Sequence, residues 1–170
     1  MVLEGMAAVF PEPWRDFIQF LPEEEQQDVL ASYHRRLMSD DTSVHAPAAL
    51  AWARYEGSCS TLLPSPRGVS RLESGRAALA LARIEAHYFV NQMFLSDTYF
   101  FENIEKIRHI PAVLVQGRYD MVCPIVTADA LARAWPEAQY HIIPDAGHSA
   151  MEPDVRSTLV ASTEKFKAGG

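Results

Sequence analysis

The chain has 170 residues, enough for one domain of ordinary size or for part of a larger one. With 48% apolar and 22% charged residues it has the composition of a soluble globular protein, and its net charge of −7 argues against a nucleic-acid partner, which calls for a basic surface. No apolar run approaches the length of about 18 residues needed for a membrane-spanning helix, so no membrane association is expected. The two cysteines, Cys59 and Cys123, are too few for a disulfide framework and lack metal-ligand spacing. The N-terminus "MVLEGMAAVF" has no basic region of the kind that opens a signal peptide. The expectation is a cytoplasmic protein with reduced thiols.

The first hundred residues read as mostly helical. In "PEPWRDFIQF", Pro11 and Pro13 mark a helix start, and Trp14, Phe17 and Ile18 share one face. "PEEEQQDVLASYHRRLMS" reads as one helix, with acids in its first turn and His34, Arg35 and Arg36 near its end, both suiting the helix dipole. Val29, Leu30, Tyr33 and Leu37 form its apolar stripe. "VHAPAALAWARYEGSCSTLLP" reads as a helix with Pro47 in its first turn, ending near Gly57. Two prolines and two glycines make residues 62–75 a predicted loop. "GRAALALARIEAHYFVNQMF" and "YFFENIEKIRHI" are helical in pattern.

The character changes at Ile110. Val113 to Val115 form a β-branched apolar core closed by Gly117, the signature of a buried strand. "TADALARAWPEA" is a helix stopped by Pro136, "QYHIIPDAGH" a second strand, and "PDVRSTLVASTEKFKAG" a helix ending in glycines. This β-α-β-α order predicts an α/β fold with a parallel sheet. The predicted division is a helical region over 1–105 and an α/β region over 106–170. Two parallel strands alone make a poor sheet, because such strands are normally covered on both faces and flanked by others.

The chemistry-bearing residues sit at the ends of those strands. Asp120 follows the first in "QGRYDMVCP", and His148 follows the second in "PDAGHSAMEP". Functional groups gather at the carboxyl ends of parallel strands. Acid before histidine, with one helix and one strand between them, is the order found in α/β-hydrolases. In that reading Asp120 orients one ring nitrogen of His148, and the other takes the nucleophile's proton. Either motif alone is equally well read as structural, since a strand-ending Asp commonly bonds its own turn. It is their joint occurrence on a βαβ pattern that favours the catalytic reading.

"VLVQGRYDMVCP", "RAWPEAQYHIIPDAGHSAMEP", "RYEGSCSTL" and "ARIEAHYFVN" together resemble prolyl iminopeptidase, a serine peptidase family of the α/β-hydrolase superfamily, from about Glu4 to Phe166. The resemblance implies a partial α/β-hydrolase fold: a helical, specificity-giving cap followed by the last two β-α units of the parallel sheet. It implies release of N-terminal proline from peptides, with no cofactor and no metal. Asp120 falls on the triad acid and His148 on the triad base. Glu56 and Glu85 fall on cap glutamates that bind the substrate's charged imino group, and a cationic amine leaving water does need anionic partners. Without the resemblance, each glutamate would be read as part of a solvated helix face. Cys123 falls on a cysteine near the substrate pocket. Arg118 and Tyr119 belong to the motif without an evident chemical role.

The expected nucleophile elbow, G-x-S-x-G, is absent, as is an H-G-G-P-G type oxyanion loop. None of the twelve serines has glycine on both sides at a distance of two. The expectation is therefore a carboxyl-terminal portion that supplies acid, base and cap but no serine, inactive alone and prone to self-association through an exposed sheet edge. Two alternatives remain open. One is a non-catalytic remnant or binding module for cationic N-termini. The other is a different α/β-hydrolase such as an esterase, disfavoured because an esterase has no need of paired cap carboxylates.

Overall fold

The computed structural model describes residues 2–73 and 75–168. They separate into two compact units. The first comprises residues up to Cys59 together with Pro64–Ser96; the second comprises Ser60–Leu63 together with residues from Asp97 onward.

The first unit is helical: α1 (Val2–Ala7), α2 (Pro11–Gln19), α3 (Val29–Leu37), α4 (Thr42–Cys59), α5 (Pro66–Leu72) and α6 (Gly75–Val90). Proline in the first turn starts α2, where a missing N–H has no cost. The core is aromatic. Phe17 of α2 stacks on Tyr33 of α3 with ring centroids 4.1 Å apart and on Tyr55 of α4 at 4.7 Å, while Trp52 meets Phe17 and Tyr33 edge-on. The Tyr33 hydroxyl donates to the Phe17 carbonyl at 2.8 Å, so the ring's polar end is satisfied inside the core. Ala78, Ala82 and Ala86, one turn apart on α6, are all buried. This small-residue face lets α6 approach α3 and α4 closely.

Five expected features differ. The helix expected from Pro22 is divided: Glu23–Asp28 is a 3₁₀ segment, and the Asp28 carboxylate accepts from the Ala31 N–H at 3.1 Å to start α3 afresh. An Asp side chain bonds local backbone more readily than it sits inside a helix. In α3, Tyr33 and Leu37 are buried but Val29 and Leu30 only half-buried. The loop expected over 62–75 contains α5. Pro66 occupies its first position, Ser65 Oγ accepts from the Gly68 N–H at 3.3 Å, and Val69 and Leu72 pack on Gly57. Gly57 is thus a packing residue rather than a stop, and α4 runs on to Cys59. Helix α6 ends at Val90, before a left-handed turn in which Gln92, Met93 and Phe94 have φ of 51°, 58° and 59°.

The second unit holds α7 (Tyr99–Asn103), β1 (Val113–Gly117), α8 (Ile125–Ala134), β2 (Gln139–Ile143) and α9 (Pro153–Ala168). The closing glycines 169 and 170 lie outside the described residues. β1 and β2 pair in parallel with register Val113↔Gln139 through Gly117↔Ile143, the geometry of a βαβ unit. Among the described residues the sheet has these two strands. Ile143, Ala146 and Val155 form a small core against Val115. Trp135, just after α8, is buried and donates its indole N–H to the Arg108 carbonyl at 3.3 Å.

Truncating Phe17 to Ala removes the central ring of the first unit's core and should cost about 3–5 kcal/mol. Tyr33→Phe keeps the stack but orphans a carbonyl, for about 1–3 kcal/mol. Urea unfolding followed by near-UV dichroism checks both the order and the sizes.

Candidate active site

The second unit brings two of the expected residues together. β1 ends at Gly117, where the chain turns and delivers Asp120; β2 ends at Ile143, where a second turn delivers His148. The turns are tied by backbone bonds. The Arg118 N–H donates to the Ile143 carbonyl at 2.8 Å and the Tyr119 N–H to the Ala146 carbonyl at 2.9 Å. Arg118 and Tyr119, which had no evident role, thus act through their main chains, and their side chains are exposed. A glycine is required at 117, because a Cβ there would lie 1.9 Å from the Gly147 carbonyl oxygen and 2.7 Å from that of Ala146.

Asp120 is buried, at 7% exposure, and its carboxylate receives four hydrogen bonds. Oδ1 accepts from the backbone N–H groups of Val122 (3.0 Å) and Cys123 (2.7 Å). Oδ2 accepts from Gln116 Nε2 (3.0 Å) and from His148 Nδ1 (3.0 Å). Burial alone would raise the acid's pKa. The bonds from His148, the Cys123 N–H and Gln116 outweigh it and hold Asp120 below the ordinary carboxylate range. His148 moves the other way. The Asp120 carboxylate, with a smaller contribution from the Cys123 side chain, pushes the ring up to about 10 against the opposing effect of burial. With Asp120 ionised, the ring donates Nδ1–H to it. This leaves Nε2 as the nitrogen for any proton transfer.

The rest of the His148 turn is held by the segment Ser60–Leu63. The Ser60 carbonyl accepts from both the His148 and Ser149 N–H groups, at 2.9 and 2.8 Å. The Glu152 carboxylate accepts from the Gly147 N–H at 2.7 Å and the Leu62 N–H at 3.4 Å. Cys123 is exposed, and its main chain is fixed by Asp120. Cys59, by contrast, is buried; burial first, then the charge of Glu56, pushes its thiol up to about 12, which leaves it inert.

Glu56 and Glu85 lie in the first unit, on the packed helices α4 and α6. Trp52 of α4, one turn before Glu56, donates its indole N–H to Glu85 Oε2 on α6 at 2.7 Å. Both glutamates are half-buried, so neither is a solvated surface acid. Among the described residues no cluster of His, Cys, Asp and Glu has the makings of a metal site, and no helix is long and apolar enough to cross a membrane.

A family model for the alpha/beta hydrolase fold matches residues 6–155. The chain belongs to the alpha/beta hydrolase fold family. It is 46% identical over 166 residues to a proline iminopeptidase of Arabidopsis thaliana, covering 96% of this chain and 44% of that protein. It is 42% identical over 166 residues to a probable proline iminopeptidase of Leptolyngbya boryana, covering 97% and 52% respectively. The proline iminopeptidase of Xylella fastidiosa (strain Temecula1 / ATCC 700964) is 42% identical over 164 residues, at 96% and 52%. The chain thus spans about half the length of these curated relatives. The resemblance read from the motifs is borne out, and the helix-rich chain with its small parallel sheet is consistent with a partial α/β-hydrolase fold.

Three contributors to this geometry were not singled out in the sequence. Gln116 and Glu152 both lie inside the quoted motifs, so their proximity to Asp120 and His148 was the available signal. Trp52 carried none, since an apolar helix position does not announce a hydrogen bond across to another helix.

The pair makes stability depend on pH in a defined way. Asp120, depressed from 3.8, contributes fully above that value and loses its contribution as pH falls through its folded pKa. His148, raised from 6.5, contributes fully below 6.5 and loses it as pH rises through about 10. The contribution of the pair is fullest between roughly pH 4 and 6.5. His148→Gln should flatten the alkaline limb in urea unfolding measured from pH 6 to 10. Gly117→Ala should displace the His148 turn by collision with a backbone carbonyl and abolish the hydrogen-bonded Nδ1 proton in NMR spectra.

Proposed function

We propose that this chain supplies the acid, the base and the substrate-binding carboxylates of a serine aminopeptidase that releases N-terminal proline from peptides. The observation that carries the reading is the 3.0 Å Asp120–His148 hydrogen bond at the ends of adjacent parallel strands. Support comes from the proline iminopeptidases that the chain resembles over nearly its whole length. In this reading Asp120 holds the ring and stabilises the imidazolium, while His148 Nε2 takes a proton from the nucleophile and returns it to the leaving amine. Glu56 and Glu85 bind the cationic imino group, and Trp52 holds one oxygen of Glu85 in place. Cys123 sits beside the substrate. The cap is the helical region 1–105 and the catalytic part is 106–170. The setting is cytoplasmic, where both thiols stay reduced.

The serine and the oxyanion donors come from residues other than these 170, because no G-x-S-x-G occurs among them. A base must be neutral to take a proton, which requires a pKa near the working pH. Covering the ring with the missing polypeptide would disfavour its charge. Alone, the chain is inactive and associates through the unpaired edges of its sheet, to be read by light scattering.

The test is reconstitution with the remaining portion of a longer relative, assayed on a chromogenic anilide of L-proline. Turnover is expected only in the mixture, with His148 titrating near neutrality there. Asp120→Asn should lower kcat by a factor on the order of 10⁴, the loss known for an acid-to-amide change in a serine triad. Glu56→Gln and Glu85→Gln should each lower kcat/KM roughly 10- to 100-fold, mainly through KM, as expected for a charge-assisted hydrogen bond of about 1.5–3 kcal/mol. Turnover by the 170 residues alone that survives Ser149→Ala but not Asp120→Ala would defeat the outside nucleophile. Binding of L-prolinamide without turnover in any mixture would leave the chain a binding module for cationic N-termini.

A further inference from the structure

The G-H-S-x-x-E spacing in residues 147–152 has a mechanical explanation in the second unit. Glu152 directly precedes α9, and its own carbonyl accepts the helix's first bond from the Arg156 N–H at 2.9 Å. A carboxylate at such a position commonly turns inward to cap its helix. Here it turns back along the chain instead. Oε1 accepts from the Gly147 N–H at 2.7 Å, and Oε2 faces the Leu62 N–H at 3.4 Å. The same two strands of chain are also joined through the Ser60 carbonyl, which accepts from His148 and Ser149. Gly147 makes room for this: a Cβ there would lie 2.9 Å from the Leu62 nitrogen and 3.2 Å from Glu152 Oε1. His148 is therefore bracketed. Its preceding residue is anchored by Glu152, its own N–H by Ser60, and its ring by Asp120.

We propose that Glu152 is a positioning residue for His148: by holding the Gly147 N–H and the Leu62 N–H on one carboxylate, it sets the turn that aims the ring at Asp120. The proposal rests on the reading of His148 as the site's base. A neutral or shorter side chain at 152 cannot hold both donors in this geometry. The Ala146–Gly147 peptide then keeps only its carbonyl tie to the Tyr119 N–H and can pivot about it, and that pivot swings the adjacent His148 and its ring. Asp120 does not move with it, because three of its four hydrogen bonds come from Gln116 of β1 and from Val122 and Cys123 of its own turn. Loss of Glu152 thus separates ring from carboxylate without disturbing the carboxylate itself. A merely structural glutamate would lower stability and leave the ring's titration where it was.

The test uses the 170-residue chain labelled with ¹⁵N in histidine, followed by NMR. In the unmutated chain His148 should titrate far above its ordinary value and show a downfield, slowly exchanging Nδ1 proton. In Glu152→Ala and Glu152→Gln the titration should return toward 6.5, the ordinary imidazole value, and the Nδ1 proton should be lost to exchange. Glu152→Asp should recover part of the shift. Titration of either variant as in the unmutated chain would overturn the proposal. If neither variant folds, the unmutated chain still decides. The Gly147 amide proton should be protected from exchange with solvent by its bond to Glu152, and an amide exchanging as freely as an unbonded one would overturn the proposal equally. No substrate is involved, so a chain without peptidase activity would not touch this result, and failure here would leave the peptidase reading standing.

Discussion

The second unit depends on one crowded carboxylate. Asp120 is buried yet stays ionised because four donors surround it, two from its own turn, one from Gln116 and one from His148. A buried carboxylate with fewer partners would raise its pKa and release the histidine. With all four, it is held in a single rotamer, and the imidazole has one place to go. The parallel pairing of β1 and β2 serves this geometry. Register Gly117↔Ile143 places both strand ends level, so turns of unequal length can meet across the gap.

Backbone clearance is the second requirement. Two glycines meet there, Gly117 against the Gly147 carbonyl and Gly147 against Leu62. Their role is the absence of a side chain rather than unusual backbone angles. Each permits main-chain groups to approach closely enough for the Arg118, Tyr119, His148 and Ser149 N–H groups to find carbonyl partners. The site is therefore assembled mostly by backbone hydrogen bonds, with Gln116 and Glu152 supplying side-chain ties at its two ends.

The first unit is organised on a different principle. It has an aromatic core of Phe17, Tyr33, Trp52 and Tyr55, sealed by an alanine face on α6. Trp52 belongs to that core and also reaches out of it with a polar edge, which places Glu85 relative to α4. A carboxylate tied to a buried indole is constrained to few rotamers.

The order of elements was legible in the sequence because it depends on local periodicity: Val113 to Val115 as a strand, α8 stopped before Pro136, α6 patterned on alanine. So were Asp120 and His148, since strand-end turns carry their own signature, and so was the family, since the motifs are contiguous. What local pattern could not show was where side chains compete with backbone. Asp28 divides a continuous helical pattern by capping Val29–Leu37, and Ser65 with Pro66 starts a helix in a stretch whose prolines and glycines suggest a loop. Nor could it show contacts across long separations. The bonds from Ser60 to His148, Glu152 to Leu62 and Trp52 to Glu85 span intervals that leave no periodic trace. By itself the sequence determined the order of the elements and the family, because those rest on local pattern and on contiguous motifs. Only the tertiary structure decided which groups surround Asp120 and His148, because contacts and orientation depend on distances that folding alone creates.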